Sequence, residues 1–424
     1  MKNRKLIASA ATIGVFALIT VGCSKDNAAD TTAAAAETEA VVAETTAAAE
    51  APAETTAAVA AETTAAVPAE TSAAAAAPAD CATPTPVKLQ LQWVTQAQFA
   101  GYFAAVDQGF YKAQCLDVTV VEGGVDIVPQ TQLATGAVDY AISWVPKALA
   151  SREQGAGITA VAQIFERSGT LQVSWKDSNI TTAADLKGKK VGNWGFGNEF
   201  ELFAGMTKAG IDPSKDVTNV QQQFDMQALL KKEIDAAQAM IYNEYAQVLE
   251  AKGADGKLNT PDMFNVIDWN KEGTAMLQDA IWANESKLAD AAYQDQTTKF
   301  IKASVQGWIF CRDNADKCVD IVVAKGSKLG KSHQQWQMNE INKLIWPSTG
   351  GIGVINQAQW DQTISVASTA KNAEGTTVLT KAPEGLAFTN DYVKKALAEW
   401  STAGVDIAGA GFTPATVVLN EGGA

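Results

Sequence analysis

No aromatic residue occurs between Ser24 and Pro86, a stretch built almost entirely from Ala, Thr, Glu, Pro and Val. Without large apolar side chains that stretch has no means of forming a core, so any globular fold is confined to the residues beyond Pro86. The unit Ala-Glu-Thr-Thr/Ser recurs at Glu44, Glu54, Glu62 and Glu70. Pro52, Pro68 and Pro78 and the paired threonines oppose the helix that alanine favours, which predicts a disordered tether over residues 23–83. Such a chain has a root-mean-square reach of roughly 40 Å.

The tether has something to hold on to. Lys2, Arg4 and Lys5 precede a mostly apolar run over residues 6–21 that is too short for a secure membrane span, which reads as a signal peptide, residues 1–22. Thr20-Val21-Gly22-Cys23 resembles a bacterial lipobox, whose small residues admit the processing peptidase to the bond before a lipidated cysteine. Cys23 is therefore expected to carry a lipid and to hold the chain on the outer face of a membrane.

Roughly 340 residues remain, enough for one two-lobed protein or two ordinary domains. The net charge of -14 and the lack of any basic block beyond the signal peptide argue against a nucleic-acid partner. Of five cysteines, four remain after Cys23. In an exported chain Cys311 and Cys318 read as closing a local loop, which leaves Cys81 for Cys115, although free buried thiols fit the spacing too. None of the spacings is that of a zinc site.

Residues 87–94 alternate apolar and polar, Phe99, Phe103, Val106 and Phe110 recur at helical spacing, and residues 116–121 are strand-like. Helices near 129–135 and 146–154 and strands at 140–143 and 158–164 continue the alternation, the sign of a parallel-rich sheet flanked by helices. A second series has strands ending at Asn193 and at 217–221 and 236–241, with helices from Asn198 and after Phe224 and Tyr242. After a strand at 280–283 the chain turns strongly helical as far as Gly404, which suits helices packed back on the first lobe. The α/β reading is two lobes, residues 84–172 with 283–424 and residues 173–282, crossing near 170–175 and 276–284. Ligands of such sheets lie beyond the carboxyl ends of the strands, in the cleft between lobes that close like a hinge.

Leu91-Gln92-Trp93-Val94 with Gln98-Phe99-Ala100-Gly101-Tyr102 and Gly109-Phe110-Tyr111, then Glu122-Gly123-Gly124, then Asp185-Leu186-Lys187-Gly188-Lys189-Lys190-Val191-Gly192, resemble the periplasmic-type (type II) binding proteins of ABC importers. The resemblance spans about residues 87–400 and is to the group related to thiamine-pyrimidine synthases. Within it, the run from Asn193 to Glu201 and Tyr242-Asn243-Glu244-Tyr245 resemble the branch serving riboflavin uptake. What this implies is a flavin ligand, with relatives that bind aminopyrimidine precursors of thiamine, and a permease and an ATPase on other chains. No Walker motif is present here.

Placed on the strand pattern, the candidate contacts fall at strand ends. Trp93, Phe99 and Tyr102 could stack on a flat heterocycle, or Phe99 could be core like Phe103. Gln96 could bond ring nitrogens or carbonyls, or lie on the surface. Gly123 and Gly124 could bring backbone amides to a ligand or form a plain turn. Trp144 ends a strand at the rim, and its neighbour Lys147 reads as solvent-exposed. Gly192, Gly195 and Gly197 permit an unusual turn that would present Asn193, Trp194 and Phe196, and Asn198 with Glu201 matches a helix capping box. Glu199 is a contact or a capping residue. Tyr242, Asn243 and Glu244 could grip a uracil-like edge or ribityl hydroxyls, with Asn243 also suited to capping.

Arginine is nearly missing: beyond the signal peptide only Arg152, Arg167 and Arg312 occur, so the guanidinium fork usual for phosphates or dicarboxylates is not at hand and a neutral aromatic ligand fits better. No cofactor is expected. The related synthases use histidine chemistry with a pyridoxal cofactor, whereas the one histidine here, His333, falls among Gln334, Gln335 and Trp336 and reads as exposed. The synthases' cysteine-rich iron motif is absent, and Glu199 with Glu201 carries no signature of glycoside chemistry. A sensor or adhesin on a stalk would share the tether but has no need of a cleft.

Overall fold

The computed structural model describes residues 81–424. The signal peptide, Cys23 and the tether as far as residue 80 lie outside the described residues.

Among the described residues, ten strands form two five-stranded sheets. The first contains β1 (Thr85–Gln90), β2 (Leu116–Val121), β3 (Tyr140–Trp144), β4 (Ile158–Gln163) and β10 (Asp279–Asn284), in the order β2-β1-β3-β10-β4. The second contains β5 (Thr170–Trp175), β6 (Lys190–Asn193), β7 (Thr218–Gln221), β8 (Ala236–Met240) and β9 (Phe264–Asp268), in the order β7-β6-β8-β5-β9. The two orders are the same pattern. In each sheet four strands run together, and the one that arrives from the other half of the chain runs against its neighbours: β10 against β3 and β4, β5 against β8 and β9.

Burial does not simply follow a strand's place in its sheet: β4 is an edge, covered by the tail through bridges at Gly353 and Phe388. β3, β4, β8 and β10 are buried along their whole length, as strands covered by helices on both faces must be. The edge strand β2 alternates Leu116 and Val118 inward with Asp117 and Thr119, while β7, an edge of the second sheet, has no fully buried residue.

Strand membership corrects the lobe boundaries. Residues 170–175 and 279–284, expected as crossings, are strands β5 and β10, and cuts at 172/173 and 282/283 would pass through them. The chain passes between sheets over residues 164–169 and 269–278. A strand buried on both faces carries no local mark of which sheet it joins; pairing with distant strands makes that choice.

The tail is helical over Ala291–Asp313, Ala315–Ala324, Lys331–Ile345, Gln357–Thr369 and Asp391–Thr402. Helix Ala291–Asp313 packs on helix Ala100–Asp107, where Tyr102 meets Trp308 edge-on at 5.7 Å, and Phe300 lies flat against Tyr140 at 4.2 Å. Helix Lys331–Ile345 touches both lobes, not the first alone. Gln334 Oε1 accepts from the Ala97 N–H (2.6 Å) and Gln337 Oε1 from that of Gln98 (3.2 Å) in the first lobe. In the second, Trp336 Nε1 donates to the Ile241 carbonyl at 2.9 Å. Cys81 is bonded to Cys115, and Cys311 to Cys318, the latter joining two consecutive tail helices.

Candidate functional site

A cavity of about 440 Å³ lies between the sheets at the carboxyl ends of β1, β3, β6, β7 and β8. That is within the roughly 300–1,000 Å³ of sites that enclose a small organic molecule. The first lobe contributes Gln92, Trp93, Gln96, Gln98, Gln130, Trp144 and Lys147; the second contributes Trp194, Phe196, Asn198, Phe224, Tyr242, Asn243 and Glu244.

Aromatic rings cross the cleft. Phe224, on the loop after β7, has its ring 4.7 Å from Trp93 and 6.1 Å from Trp194, nearly parallel to the latter at 15°. Behind the first-lobe wall lies Asp279, the opening residue of β10, buried and accepting from Gln92 Nε2 (2.5 Å), Trp144 Nε1 (2.8 Å) and Gln98 Nε2 (3.0 Å). Burial pushes its carboxyl up to about 7, against those donors and the Lys147 charge. Gln96 in turn donates to Gln98 at 2.8 Å, and its own Oε1 has no partner. Gln130 Oε1 and the Trp194 indole N–H, both buried on lining residues, are also unpartnered. Two acceptors and one donor on lining residues are thus buried without a hydrogen-bond partner.

The turn after β6 has three successive left-handed residues, Gly195, Phe196 and Gly197, with φ of 71°, 55° and 80°. Glycine takes this conformation freely, whereas Phe196 is strained there, and its ring stands 66% exposed at the cavity mouth. Facing it from the first lobe are the half-exposed Val125 and Val128. Asn198 bonds the turn to itself, its amide donating to the Gly195 carbonyl at 2.8 Å.

Ten expected contacts line the cavity: Trp93, Gln96, Gly124, Trp144, Trp194, Phe196, Asn198, Tyr242, Asn243 and Glu244. Five do not. Phe99 and Tyr102 are fully buried core, in a cluster completed by the tail helices, with Tyr102 edge-on against Trp308. Gly123 packs behind the Trp93 loop: a Cβ there would lie 2.3 Å from the Leu91 carbonyl oxygen, and its N–H donates to the Trp93 carbonyl at 3.0 Å. Asn193 accepts from the Gly195 N–H at 3.1 Å and so shapes the turn. Glu199 lies outside the lining, near Lys147, with its carboxyl pushed up by burial.

Three further expectations are corrected. Lys147 is half-buried in the cavity wall, donates to Asn198 Oδ1 across the cleft at 2.7 Å, and lies 5.0 Å from the Trp144 ring centre. Burial lowers its pKa to about 8, with Glu199 and Asp279 opposing. Glu201 forms no capping box with Asn198. It turns inward to accept from Ser168 Oγ (2.6 Å) and the Met276 N–H (2.7 Å), one residue from each interlobe crossing, and burial raises its pKa to about 8. His333 is 1% exposed, enclosed between Glu250 and Asn243, because helix Lys331–Ile345 is covered by both lobes.

Sequence reasoning missed Asp279, Gln98, Gln130 and Phe224. A lone carboxylate opening the apolar run Asp279-Ala-Ile-Trp-Ala-Asn was the one signal that marked any of them. Among the described residues no helix is long and apolar enough to cross a membrane, and no group of His, Cys, Asp and Glu is placed to hold a metal.

The chain is similar to known proteins. The chain is 26% identical over 320 residues to the riboflavin-binding protein RibY of Chloroflexus aurantiacus, covering 72% of this chain and 86% of that one. It is 20% identical over 284 residues to a formylaminopyrimidine-binding protein of Halalkalibacterium halodurans, covering 66% and 83%. The periplasmic aliphatic sulphonate binding protein SsuA of Escherichia coli superposes with a TM-score of 0.52 at 17% identity, over 67% of this chain and 90% of that one, a likeness of fold. The model of the NMT1/THI5-like family matches residues 96–318. The chain belongs to the NMT1/THI5-like family, carried on the two-lobed periplasmic-binding-protein fold.

Proposed function

We propose that this chain is the extracytoplasmic solute-binding protein of an ABC importer, anchored through lipid on Cys23, and that its ligand is riboflavin. The observation that carries the reading is the interlobe cavity itself: aromatic faces from both lobes, with Gln96 Oε1, Gln130 Oε1 and the Trp194 N–H buried and unpartnered on its lining residues. A flat heterocycle with its own donors and carbonyls suits a wall of aromatic rings and side-chain amides. The similarity to RibY over most of both chains supports the same ligand class.

Charge supports a neutral ligand. Arg152 is engaged by Glu285, Arg167 by the Leu344 and Pro347 carbonyls, and Arg312 by Asp313, so among the described residues no guanidinium lines the cavity. Lys147 is the one cation among the described lining residues, and it is bonded to Asn198. His333 is occupied on both ring nitrogens and lies behind the wall, which leaves no free imidazole for acid-base catalysis and supports binding over an enzymatic role. An aminopyrimidine precursor of thiamine is the second reading, favoured by one feature: the Glu244 carboxyl, pushed up to about 7 by burial, suits an exocyclic amine or ring nitrogen.

Titration of the purified chain with riboflavin, read by tryptophan quenching, tests this directly. Binding at about micromolar or tighter is expected. Binding of an aminopyrimidine but not riboflavin would move the protein to thiamine salvage; binding of neither would remove both ligands.

A further inference from the structure

Behind the cavity wall is a hydrogen-bonded chain that the ligand-binding reading leaves unused. His333 is the only histidine of the sequence. Its Nδ1 lies 2.9 and 3.0 Å from the two carboxylate oxygens of Glu250, and its Nε2 lies 2.9 Å from Asn243 Oδ1. The Asn243 amide nitrogen donates to Glu244 Oε1 at 2.7 Å, and Glu244 Oε2 accepts from the Met240 N–H at 3.0 Å. Asn243 and Glu244 line the cavity; His333 and Glu250 do not.

The placement of the Asn243 amide gives this chain a direction. With Asn243 Oδ1 toward Nε2 and the carboxylate oxygens of Glu250 toward Nδ1, both partners accept and the imidazole donates at both nitrogens. Reversing the Asn243 amide would turn its NH₂ to an unprotonated Nε2 and its oxygen to a protonated Glu244, so the two arrangements differ in where the protons sit and the imidazole reports which one holds. Glu250 is 5% exposed, and Gly423 packs against both partners of the pair. Lys252 nearby in sequence is paired outward with Glu421 at 2.5 Å.

We infer that His333 is a positioning residue of the ligand site: by donating from Nε2 to Asn243 it holds that amide with its NH₂ toward Glu244 and the cavity. One amide proton is taken by Glu244, and the second remains for the ligand. The rim of the second lobe therefore demands a hydrogen-bond acceptor, such as a ring carbonyl, next to Asn243. Helix Lys331–Ile345, which presents His333, also holds the backbone of Ala97 and Gln98 through Gln334 and Gln337. Both polar edges of the cavity are thus set by one helix. This inference rests on the cavity being the ligand site.

Because the chain has one histidine, the full-length protein labelled with ¹⁵N-histidine gives a single imidazole signal. The expected ligand-free spectrum has protons on both ring nitrogens, with the Nε2 resonance moving in Asn243→Ala. An Nε2 without a proton, or one indifferent to Asn243→Ala, overturns the inference. Riboflavin titrations supply the second readout. His333→Gln places an amide N–H near the Nε2 position and should bind within about threefold of the native chain, whereas His333→Asn reaches only the Nδ1 position and should bind about tenfold more weakly. In an Asn243→Ala background that difference should vanish; its persistence would show a role in packing alone and sink the relay. If the native chain ignores riboflavin while its imidazole is doubly protonated and coupled to Asn243, the flavin reading fails and the relay stands, to be titrated with the aminopyrimidine instead.

Discussion

At the scale of single residues, position at a strand end was a good guide to the cavity, and side-chain direction was not. Trp93, Trp144 and Trp194 end strands or come directly after them and line the cavity, while Phe99 and Tyr102, a few residues into the next helix, point into the core. Spacing along a helix tells which residues share a face, but the element that covers that face comes from the distant tail. Trp194 offers the sharpest test because its ring and its unpartnered N–H can be separated. Trp194→Phe keeps a ring and removes the N–H, and should weaken riboflavin binding by about 1 kcal/mol. Trp194→Ala removes both and should cost about 1–3 kcal/mol. Equal affinities in all three proteins, by titration, would take Trp194 out of the site.

Between elements, Glu201 ties helix Phe200–Lys208 to Ser168 and Met276 at the two crossings. The pattern Asn198 to Glu201 was legible as a capping box, and the local reading failed because a buried glutamate satisfied by two distant donors outweighs one exposed cap. Its consequence is a pH dependence. Folding raises the Glu201 pKa from 4.5 to about 8, so the native state holds a proton that the unfolded chain releases. The stabilisation is complete below pH 4.5 and is lost as pH rises through about 8. Glu244 and Asp279, each raised to about 7, act in the same direction. Urea midpoints should therefore fall between about pH 5 and 8, and Glu201→Gln, neutral throughout, should fall less steeply. A midpoint that rises over this interval, or an unchanged slope in the variant, would refute the assignment.

For the molecule as a whole, the anchor and the binding domain should be separable. Cys23→Ala is expected to release the protein from the membrane fraction while leaving its riboflavin affinity unchanged; retention of the variant in membranes would exclude Cys23 lipidation as the anchor. The sequence by itself determined the two α/β series and most strand ends that meet at the cavity, since these come from composition and from periodicities a few residues long. Only the tertiary structure decided that β5 joins the second sheet and β10 the first, that Asp279 stands behind the Trp144 wall, and that His333 is enclosed between Glu250 and Asn243. Each of those depends on partners separated by tens to hundreds of residues, where burial and hydrogen bonding override anything a local pattern encodes.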